Sequence, residues 1–495
     1  MTEEEALYPE PPVALAKPSL RHVASYLGPG VIIASVTIGS GELVFASRSG
    51  AIFGYGMLWC FLYAGLFKAI QVYTAARYIT LTGEHPMIAW KDLPGPPYWL
   101  PLIIALPAVM LMPIAFSAIP EILGGFIHRL SELPSVAGSV GFWTYYEYSV
   151  NVWSTYVLCV CLLLAIFSSY DILERVSVVV LCVMVVCVGV SIVIFGPNLW
   201  KLLTGALVPT VPSFPDWLVT SDKYAEAFRS RSPWLEVSIY LGAVGGGAYD
   251  YIGYIGMLRE KRWGLAGRKV VSLSQMQDAV NGDSNAARQA IARAKQWTRA
   301  PLFDTGVSFF FVVLITLMFA VLATLVLNSE HAVPAEKQLL SVQEAFMTKL
   351  HPELRWVYRT GVFLAFIGTL YGAFEVYQHT FVETVSVFAP KAARAGRARF
   401  LRSAVVAYCF CGGLIMVWLP EGIAGNIVGR MTFGSIISGA GACGLWCFAM
   451  LWVDSTRLPK PLRMGLFMRT MTLVAGISMT FLGLMTMTAY FFPKE

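Results

Sequence analysis

The chain has 495 residues, of which 57% are hydrophobic and 13% are charged, and its formal net charge is +6. A soluble domain usually carries about 25% charged residues, so this composition excludes an ordinary soluble protein. Apolar stretches long enough to cross a bilayer recur along the whole length. They predict an all-α polytopic membrane protein, because a β-barrel would show short alternating segments instead.

The chain begins with an acidic, proline-rich segment, MTEEEALYPEPP. This composition predicts a disordered cytoplasmic tail over residues 1–20, followed by a single transmembrane domain over residues 21–495. Eleven apolar segments of that domain are predicted to span the membrane. They are residues 24–50, 53–78, 98–127, 149–169, 172–195, 234–257, 303–328, 358–388, 403–419, 423–453 and 466–491.

Basic residues concentrate in alternate loops of the second half, at residues 259–299, 391–402 and 457–463. Cytoplasmic loops of membrane proteins carry an excess of Lys and Arg. The pattern therefore predicts an integral protein of the inner or plasma membrane, with a cytoplasmic amino terminus and an exterior carboxyl terminus.

Two predicted spans combine glycines with an acid. The first contains GSGE (Gly39–Glu42) and the sixth contains GAVGGGAYDY (Gly242–Tyr251). Because these spans are five apart, two five-helix units that start with them have opposite topology. Paired interrupted helices in inverted halves indicate a transporter's midplane site. A tight glycine packing seam is the alternative, but it does not account for an acid in each segment.

The two glycine-rich segments therefore supply the predicted substrate-binding residues. Glu42 has two rival partners in the sequence, Arg48 and Lys68, and pairing with either would make it structural. If it is unpaired when the site is empty, Glu42 is a candidate for proton coupling. The predicted binding residues are Thr37, Gly39, Ser40, Gly41, Glu42, Gly246, Gly247, Tyr249 and Asp250.

The eighth predicted span places Glu375, His379 and Glu383 at i, i+4 and i+8, on one helix face. Such a face could relay protons or bind a metal. An inward polar stripe that neighbouring helices or loop arginines satisfy is the favoured interpretation.

The first half contains the run SGELVFASRSGAIFGYGMLW and a segment QVYTAAR that begins at Gln71. These motifs resemble those of the Nramp family of proton-coupled divalent-metal transporters, which has a DPGN break with an FGYxLLW continuation and a Q-Y-x-[ST]-A-K motif. Pro120-Glu121-Ile-Leu-Gly-Gly resembles A-E-V-I-G, which makes Glu121 a candidate for proton coupling. The resemblance implies a LeuT-type 5+5 inverted repeat with an eleventh helix, dividing the chain into repeat one (21–196), repeat two (234–455) and an extra helix (466–491).

The chain departs from the family at the positions that the resemblance assigns to metal binding. Gly39 stands at the family's aspartate and Glu42 at its asparagine. In the sixth span, Gly246 stands at the metal-binding methionine and Ala248 at the histidine. Ahead of the helix-three glutamate, Ala118 replaces an acid. The family's substrate is therefore not carried over by name.

The sequence predicts a secondary-active transporter that moves a hard divalent cation rather than a soft transition metal, with proton coupling as a further hypothesis and a small organic solute as the alternative substrate. Oxygen ligands without His, Cys or Met suit a hard divalent cation such as Mg, Ca or Mn, with Glu42 and Asp250 as metal ligands. A cavity enlarged by the missing side chains equally suits a small organic solute met by helix ends. A third hypothesis is that the protein is a membrane sensor that does not transport.

An enzyme is not expected, because no nucleophile–base pair and no phosphate-binding loop is evident. No resident cofactor is expected, although a transported cation or a proton would occupy the site. The expected partners are a small substrate and the lipid bilayer, without nucleic acid, and a monomer is the simplest assembly.

Overall fold

The computed structural model describes residues 7–16, 39–131, 139–167, 170–282, 284–335, 338–393 and 395–492. Helices occupy all eleven predicted positions within these ranges, and we number them as spans one to eleven. They are Ser40–Ala46 continued by Ser47–Phe53, Leu58–Thr82, Trp99–Leu130, Tyr145–Phe167, Tyr170–Phe195, Pro233–Ala243 with Ala248–Lys261, Arg299–Val326, Arg355–Phe388, Ala395–Trp418, Ile427–Ser438 with Ala440–Arg457, and Leu466–Phe491.

Eight helical stretches among the described residues are by themselves long and apolar enough to cross a membrane. The stretch Gly41–Thr82 contains spans one and two together, and span six falls short because it is divided. Large apolar side chains of the outer helices remain exposed, among them Met110, Val193 and Phe481. In a chain of this composition, such surfaces suit contact with lipid.

Local sequence signals set several span boundaries. Span two ends at Gly83, which has φ +72° and so adopts the left-handed conformation that glycine allows. Span six begins after Ser232, whose side chain accepts a hydrogen bond from the Trp234 N–H, with Pro233 in the first helical turn. These caps fix where the chain enters and leaves the bundle.

Span seven packs against spans one and two, and span eight packs against the second half of span six. Spans three and nine are in close contact at Gly412 and Gly413. A Cβ added at Gly412 would lie 2.8 Å from Pro113, and one added at Gly413 would lie 2.8 Å from the Phe116 carbonyl oxygen. Small residues therefore allow these backbones to meet.

Shorter elements lie between the spans. A two-stranded hairpin joins β1 (Ser139–Val140) to β2 (Trp143–Thr144), with Ser139 paired to Thr144 and Val140 to Trp143. The longer of the short helices are Leu199–Leu207, Leu273–Val280 and Asn285–Trp297, and single helical turns cover Val13–Ala16, Pro86–Ala89, Asp216–Thr220, Ala225–Phe228, Ala345–Thr348 and Glu421–Ala424.

The described part of the amino-terminal segment corrects one expectation. Residues 7–16 lie against the bundle rather than forming part of a disordered tail. Tyr8 is fully buried and donates a hydrogen bond to the Leu81 carbonyl oxygen over 3.0 Å. The Trp297 indole donates to the Pro9 carbonyl oxygen over 2.9 Å, and Arg299 donates to that of Leu15 over 2.8 Å. Composition alone misses this docking, because backbone carbonyls supply most of the contacts.

Ion pairs connect the ends of the spans. Arg48 of span one donates to Glu236 of span six over 2.8 Å, and Arg231 donates to the same carboxylate over 2.9 Å. At the other end of span six, Arg259 donates to Glu383 of span eight over 2.8 Å. Span six is therefore anchored on both sides of its break.

Candidate functional site: two helix breaks and the cavity between them

Span six is interrupted, as predicted. Its first half ends at Ala243 and its second half begins at Ala248. Gly245 and Gly246 between them have φ values of +70° and +78°. Side-chain-bearing residues rarely adopt this left-handed conformation, so the glycines are what permits the break.

The described part of span one begins at the corresponding position, with Ser40–Ala46 following Gly39. The described start of span one and the second half of span six are capped by the same type of hydrogen bond. The Gly39 N–H donates to the Glu42 carboxylate over 3.2 Å, and the Gly247 N–H donates to the Asp250 carboxylate over 2.7 Å. In each half, an acid three residues after a glycine accepts that glycine's N–H and caps the start of the helix.

The described start of span one touches the break in span six. A Cβ added at Gly41 would lie 2.5 Å from the carbonyl oxygen of Ala243, the last helical residue before the break in span six. Only a residue without a side chain fits at this distance, so Gly41 allows the start of span one to contact this break.

Lys68 of span two occupies the break in span six. Its side chain is fully buried. The ammonium donates hydrogen bonds to the carbonyl oxygens of Leu241 (2.6 Å), Val244 (2.7 Å) and Gly246 (2.6 Å). These carbonyls have lost their helical partners, and the three donors of one ammonium satisfy them together.

A cavity of about 130 Å³ lies where the breaks meet. Asp250 lines it and is almost fully buried. Its Oδ2 binds the Gly247 N–H, whereas its Oδ1 has no hydrogen-bond partner among the described residues. The cavity is also lined by Gly41 and Phe45 of span one, Gly246, Gly247 and Tyr249 of span six, Tyr377 of span eight, and Arg430, Ser438 and Gly439 of span ten.

A larger cavity of about 410 Å³ lies beside it, on the side of Arg48 and Arg231. Arg430 lines both cavities. Its guanidinium donates to the Glu121 carboxylate over 2.9 Å and to the Ser117 hydroxyl over 2.8 Å. The Arg430–Glu121 pair therefore lies at the boundary between the two spaces.

The structure separates the predicted binding residues into groups. Gly41, Gly246, Gly247, Tyr249 and Asp250 line the central cavity. Gly39 and Glu42 do not. Instead, Glu42 accepts hydrogen bonds from the Gly39 N–H and, over 3.2 Å, from the Thr316 hydroxyl of span seven. Ser40 is placed by its backbone alone, and Thr37 lies outside the described residues.

Neither predicted ion pair of Glu42 is recorded among the described residues. Arg48 donates to Glu236 and to the Pro334 carbonyl oxygen, and Lys68 donates to the three carbonyls of span six. Glu42 is nevertheless completely buried. Among the described residues, one backbone N–H and one hydroxyl donate to its carboxylate, and no cation does.

The other acidic candidates lie away from the central cavity or are paired. Glu121 accepts from Arg430, and Glu383 accepts from Arg259. His379 Nε2 lies 3.6 Å from a carboxylate oxygen of Glu260. The polar face of span eight thus meets the end of span six, which agrees with the favoured interpretation of an inward stripe satisfied by neighbours. A role of Glu121, Glu375 or His379 in proton coupling stays a prediction.

No group of three or more His, Cys, Asp and Glu side chains that could hold a metal ion occurs in the described parts of the chain. A metal bound here would depend on backbone carbonyls and hydroxyls for most of its ligands. Lys68 already occupies three such carbonyls in span six. The assignment of Glu42 and Asp250 as metal ligands stays a prediction.

Sequence reasoning missed two features of the site. Arg430 is a lone charge inside an apolar segment, which signals a buried partner, but that partner is distant in sequence. Span ten is also interrupted, at Gly439 between Ile427–Ser438 and Ala440–Arg457, and Gly439 lines the cavity. The Gly-Ala-Gly run at residues 439–441 was the available signal.

The family model described as natural resistance-associated macrophage protein-like (Nramp) matches residues 30–220. Comparison of the sequence with curated proteins finds no match. The fold is similar to that of a manganese transporter from Eremococcus coleocola solved with an aromatic bis-isothiourea compound. That structure is 13% identical with a TM-score of 0.60, and the match covers 96% of this chain and 89% of that one. A mutant of the same transporter is 11% identical with a TM-score of 0.57 and the same coverage.

The fold is the LeuT-type inverted repeat that the sequence predicts. The Nramp family model covers the first part of the chain, whereas the similarity of fold extends over nearly all of it. Glycine and alanine stand where the resemblance places the family's metal-binding side chains, at Gly39, Gly246 and Ala248.

Proposed function

We propose that the protein transports a small polar organic solute that carries a hydrogen-bond-donating group, such as an amine, through the central cavity. The observation that carries this proposal is the free Oδ1 of Asp250 in that cavity. Buried polar atoms are nearly always paired, so an unpaired carboxylate oxygen is a site for a donor group of the ligand. The cavity volume corresponds to roughly four water molecules, which suits a solute of amino-acid size.

The charges nearby favour an organic solute over a divalent cation. Lys68 and Asp250, which carry opposite charges as ammonium and carboxylate, both lie next to Gly246. The Lys68 ammonium donates to the Gly246 carbonyl oxygen over 2.6 Å, and a Cβ added at Gly246 would lie 2.4 Å from the Asp250 carboxylate. A divalent cation beside this pair would leave two uncompensated charges in a buried space. A neutral or zwitterionic solute adds no net charge, and its acceptor groups could face the helix start at Gly41.

Tyr249 and Tyr377 supply an apolar wall with hydroxyl groups. Their rings form an edge-to-face contact with centroids 5.3 Å apart, and both residues line the cavity. Aromatic walls with a few polar groups are typical of small-molecule sites, where the polar groups orient the ligand.

A hard divalent cation is the second candidate. It is favoured by the similarity to a manganese transporter and by the oxygen-only donors around the breaks. In that case Glu42 and Asp250 would be ligands only after a rearrangement that brings Glu42 to the cavity, since it now faces Thr316.

Uptake into proteoliposomes distinguishes the candidates. Labelled amino acids, polyamines and organic acids are compared with Mg, Ca and Mn, and the same compounds are screened for a rise in thermal unfolding temperature. We expect at least one amine-bearing solute to be taken up and to stabilise the protein. Asp250→Asn should abolish both effects, whereas the exposed Asp222→Asn should leave both unchanged. Uptake of a divalent cation alone would establish the second candidate.

The orientation of the transporter is part of the proposal. The basic loops at residues 259–299, 391–402 and 457–463 support a cytoplasmic amino terminus and an exterior carboxyl terminus. The larger cavity, which lies on the opposite side, would then face the exterior. Proton coupling through Glu42 is supported by its complete burial without a cationic partner among the described residues.

A further inference from the structure

The break in span six ends in a cluster of backbone oxygens that resembles a cation site. The carbonyls of Leu241, Val244 and Gly246 converge within hydrogen-bond distance of one point, at 2.6 to 2.7 Å. They belong to the carboxyl end of a helical segment, where the helix dipole is negative. Unwound carbonyls and helix carboxyl ends are the groups that coordinate small cations in transporters with discontinuous helices.

In this chain the point is occupied by a side chain. The Lys68 ammonium reaches it from span two, and each of its three N–H donors has one carbonyl acceptor. Lys68 is fully buried, and its ammonium lies next to Gly246, as does the carboxylate of Asp250, the acid of the central cavity. It therefore satisfies the carbonyls and balances the charge of the site at the same time.

We propose that the Lys68 ammonium takes the place of a bound cation in the transport site. It occupies the position at which a small monovalent cation would otherwise bind. The consequence of this inference for transport rests on the proposed function, whereas the cation site itself does not. The consequence is that binding at Asp250 needs neither an alkali nor a divalent cation at the break in span six. Removal of the ammonium should then create a cation site made of three carbonyls.

The alternative is that Lys68 is a structural peg whose removal merely weakens the fold. The proposed role and the purely structural role differ in one respect. If Lys68 is only structural, its removal leaves no site that a free cation can fill. A ligand that binds the folded state raises the unfolding temperature in proportion to the logarithm of its concentration above Kd. Cation-dependent stability of a Lys68 variant is therefore the distinguishing measurement.

The experiment measures thermal unfolding of the purified full-length protein in detergent, in the presence of N-methylglucamine, Na⁺, K⁺, propylammonium or tetramethylammonium at equal ionic strength. The wild type should show the same unfolding temperature in all five. Lys68→Ala should unfold at a lower temperature and regain at least about 2 °C with Na⁺, K⁺ or propylammonium. Tetramethylammonium carries the same charge without an N–H donor and is too large for three converging carbonyls, so it should give no recovery.

Three outcomes would overturn the inference: a Lys68→Ala protein insensitive to every cation, equal recovery with tetramethylammonium, or a wild type stabilised specifically by Na⁺ or K⁺. Lys68→Ser is the second variant if Lys68→Ala cannot be purified, and the same cation response is required of it. The wild-type measurement needs no variant and can overturn the inference by itself, whereas support for the inference requires the cation response of a Lys68 variant. Because these readouts need no substrate, they stand apart from a failure of the uptake experiment.

Discussion

Arg430 of span ten and Glu121 of span three form a buried ion pair at the boundary between the central cavity and the larger one. Two hydrogen bonds join the guanidinium to the carboxylate, one of 2.9 Å between Nη1 and Oε1 and a second between Nη2 and Oε2. The pair thus connects the two repeats at the place where a substrate would pass between the spaces.

Removal of one member of this pair should cost more stability than removal of both. A single Glu121→Leu or Arg430→Met leaves an uncompensated buried charge, which typically costs about 3–5 kcal/mol. The double variant leaves two apolar side chains. We therefore expect its unfolding temperature to exceed that of either single variant. This prediction would be contradicted if the double variant lost as much stability as the two single variants together.

The break in span six should depend on glycine. Gly246→Ala places a Cβ at φ +78° and 2.4 Å from the Asp250 carboxylate. The left-handed conformation alone costs about 1–2 kcal/mol, and the contact with Asp250 adds to it. We expect a lower unfolding temperature and loss of uptake. Gly306→Ala is the matched control, since its Cβ would meet no atom within 4 Å, and a helical alanine should raise stability by up to about 1 kcal/mol.

The cluster of Arg48, Arg231 and Glu236 should show a fixed order of sensitivity. Glu236 accepts from both guanidiniums and is fully buried, Arg48 is nearly so, and Arg231 is partly exposed. Glu236→Gln leaves two cations without their anion. Arg48→Gln leaves a buried carboxylate that Arg231 still contacts. Arg231→Gln should cost least, because Arg231 is partly exposed and water already screens its ion pair. We therefore expect the unfolding temperature to be lowest for Glu236→Gln, intermediate for Arg48→Gln and highest for Arg231→Gln. The assignment would be refuted if Arg231→Gln were the least stable of the three variants.

His85, in the loop after span two, should make stability depend on pH. Burial lowers the pKa of His85 below its ordinary value, opposed by the charge of Glu383 and assisted by that of Arg259. The unfolded chain therefore takes up a proton first, and the contribution of His85 to stability is full above about pH 6.5 and is lost as the pH falls below it. Unfolding temperatures from pH 5 to 8 should show this decline.

His85→Asn keeps an acceptor for the Met87 N–H, which His85 Nδ1 now binds over 3.3 Å, but it removes the titrating ring. The decline between pH 6.5 and 5 should be smaller in this variant than in the wild type. The exposed His351→Asn should retain the full decline, and identical curves for all three proteins would show that His85 does not contribute.

Glu42 should be dispensable for folding and required for coupled uptake. The side chain accepts two hydrogen bonds and no ion pair among the described residues, and Gln can still accept through its amide oxygen. Glu42→Gln should therefore unfold within about 1 kcal/mol of the wild type, the scale of one neutral hydrogen bond. Its uptake should lose the response to an imposed proton gradient. Thr316→Val, which removes only the hydroxyl donor, should keep that response, and unfolding of Glu42→Gln would point to a structural role instead.

The membrane-spanning class of the protein and the break in span six could be predicted from the amino-acid sequence alone. Hydropathy places the spans because a bilayer core demands about twenty apolar residues per helix, and this requirement is local in sequence. Glycine-rich segments at residues 39–41 and 245–247 predict unwinding because backbone conformation is also a local property, and Gly245 and Gly246 adopt the left-handed conformation that a break requires. The position of these breaks five spans apart then determines that the two halves are inverted.

The pairing of the buried charges could not be predicted from the sequence and is seen only in the folded structure. Lys68 was a plausible partner of Glu42, yet it satisfies three carbonyls of span six. Arg430 pairs with Glu121, more than three hundred residues away. Partner choice depends on distances of a few ångströms between helices, and helix rotation and tilt, which set those distances, are not encoded in hydropathy. The orientation of Glu42 toward Thr316 and of Asp250 toward the cavity follows from the same packing, so two acids with matching local sequences take different places in the site.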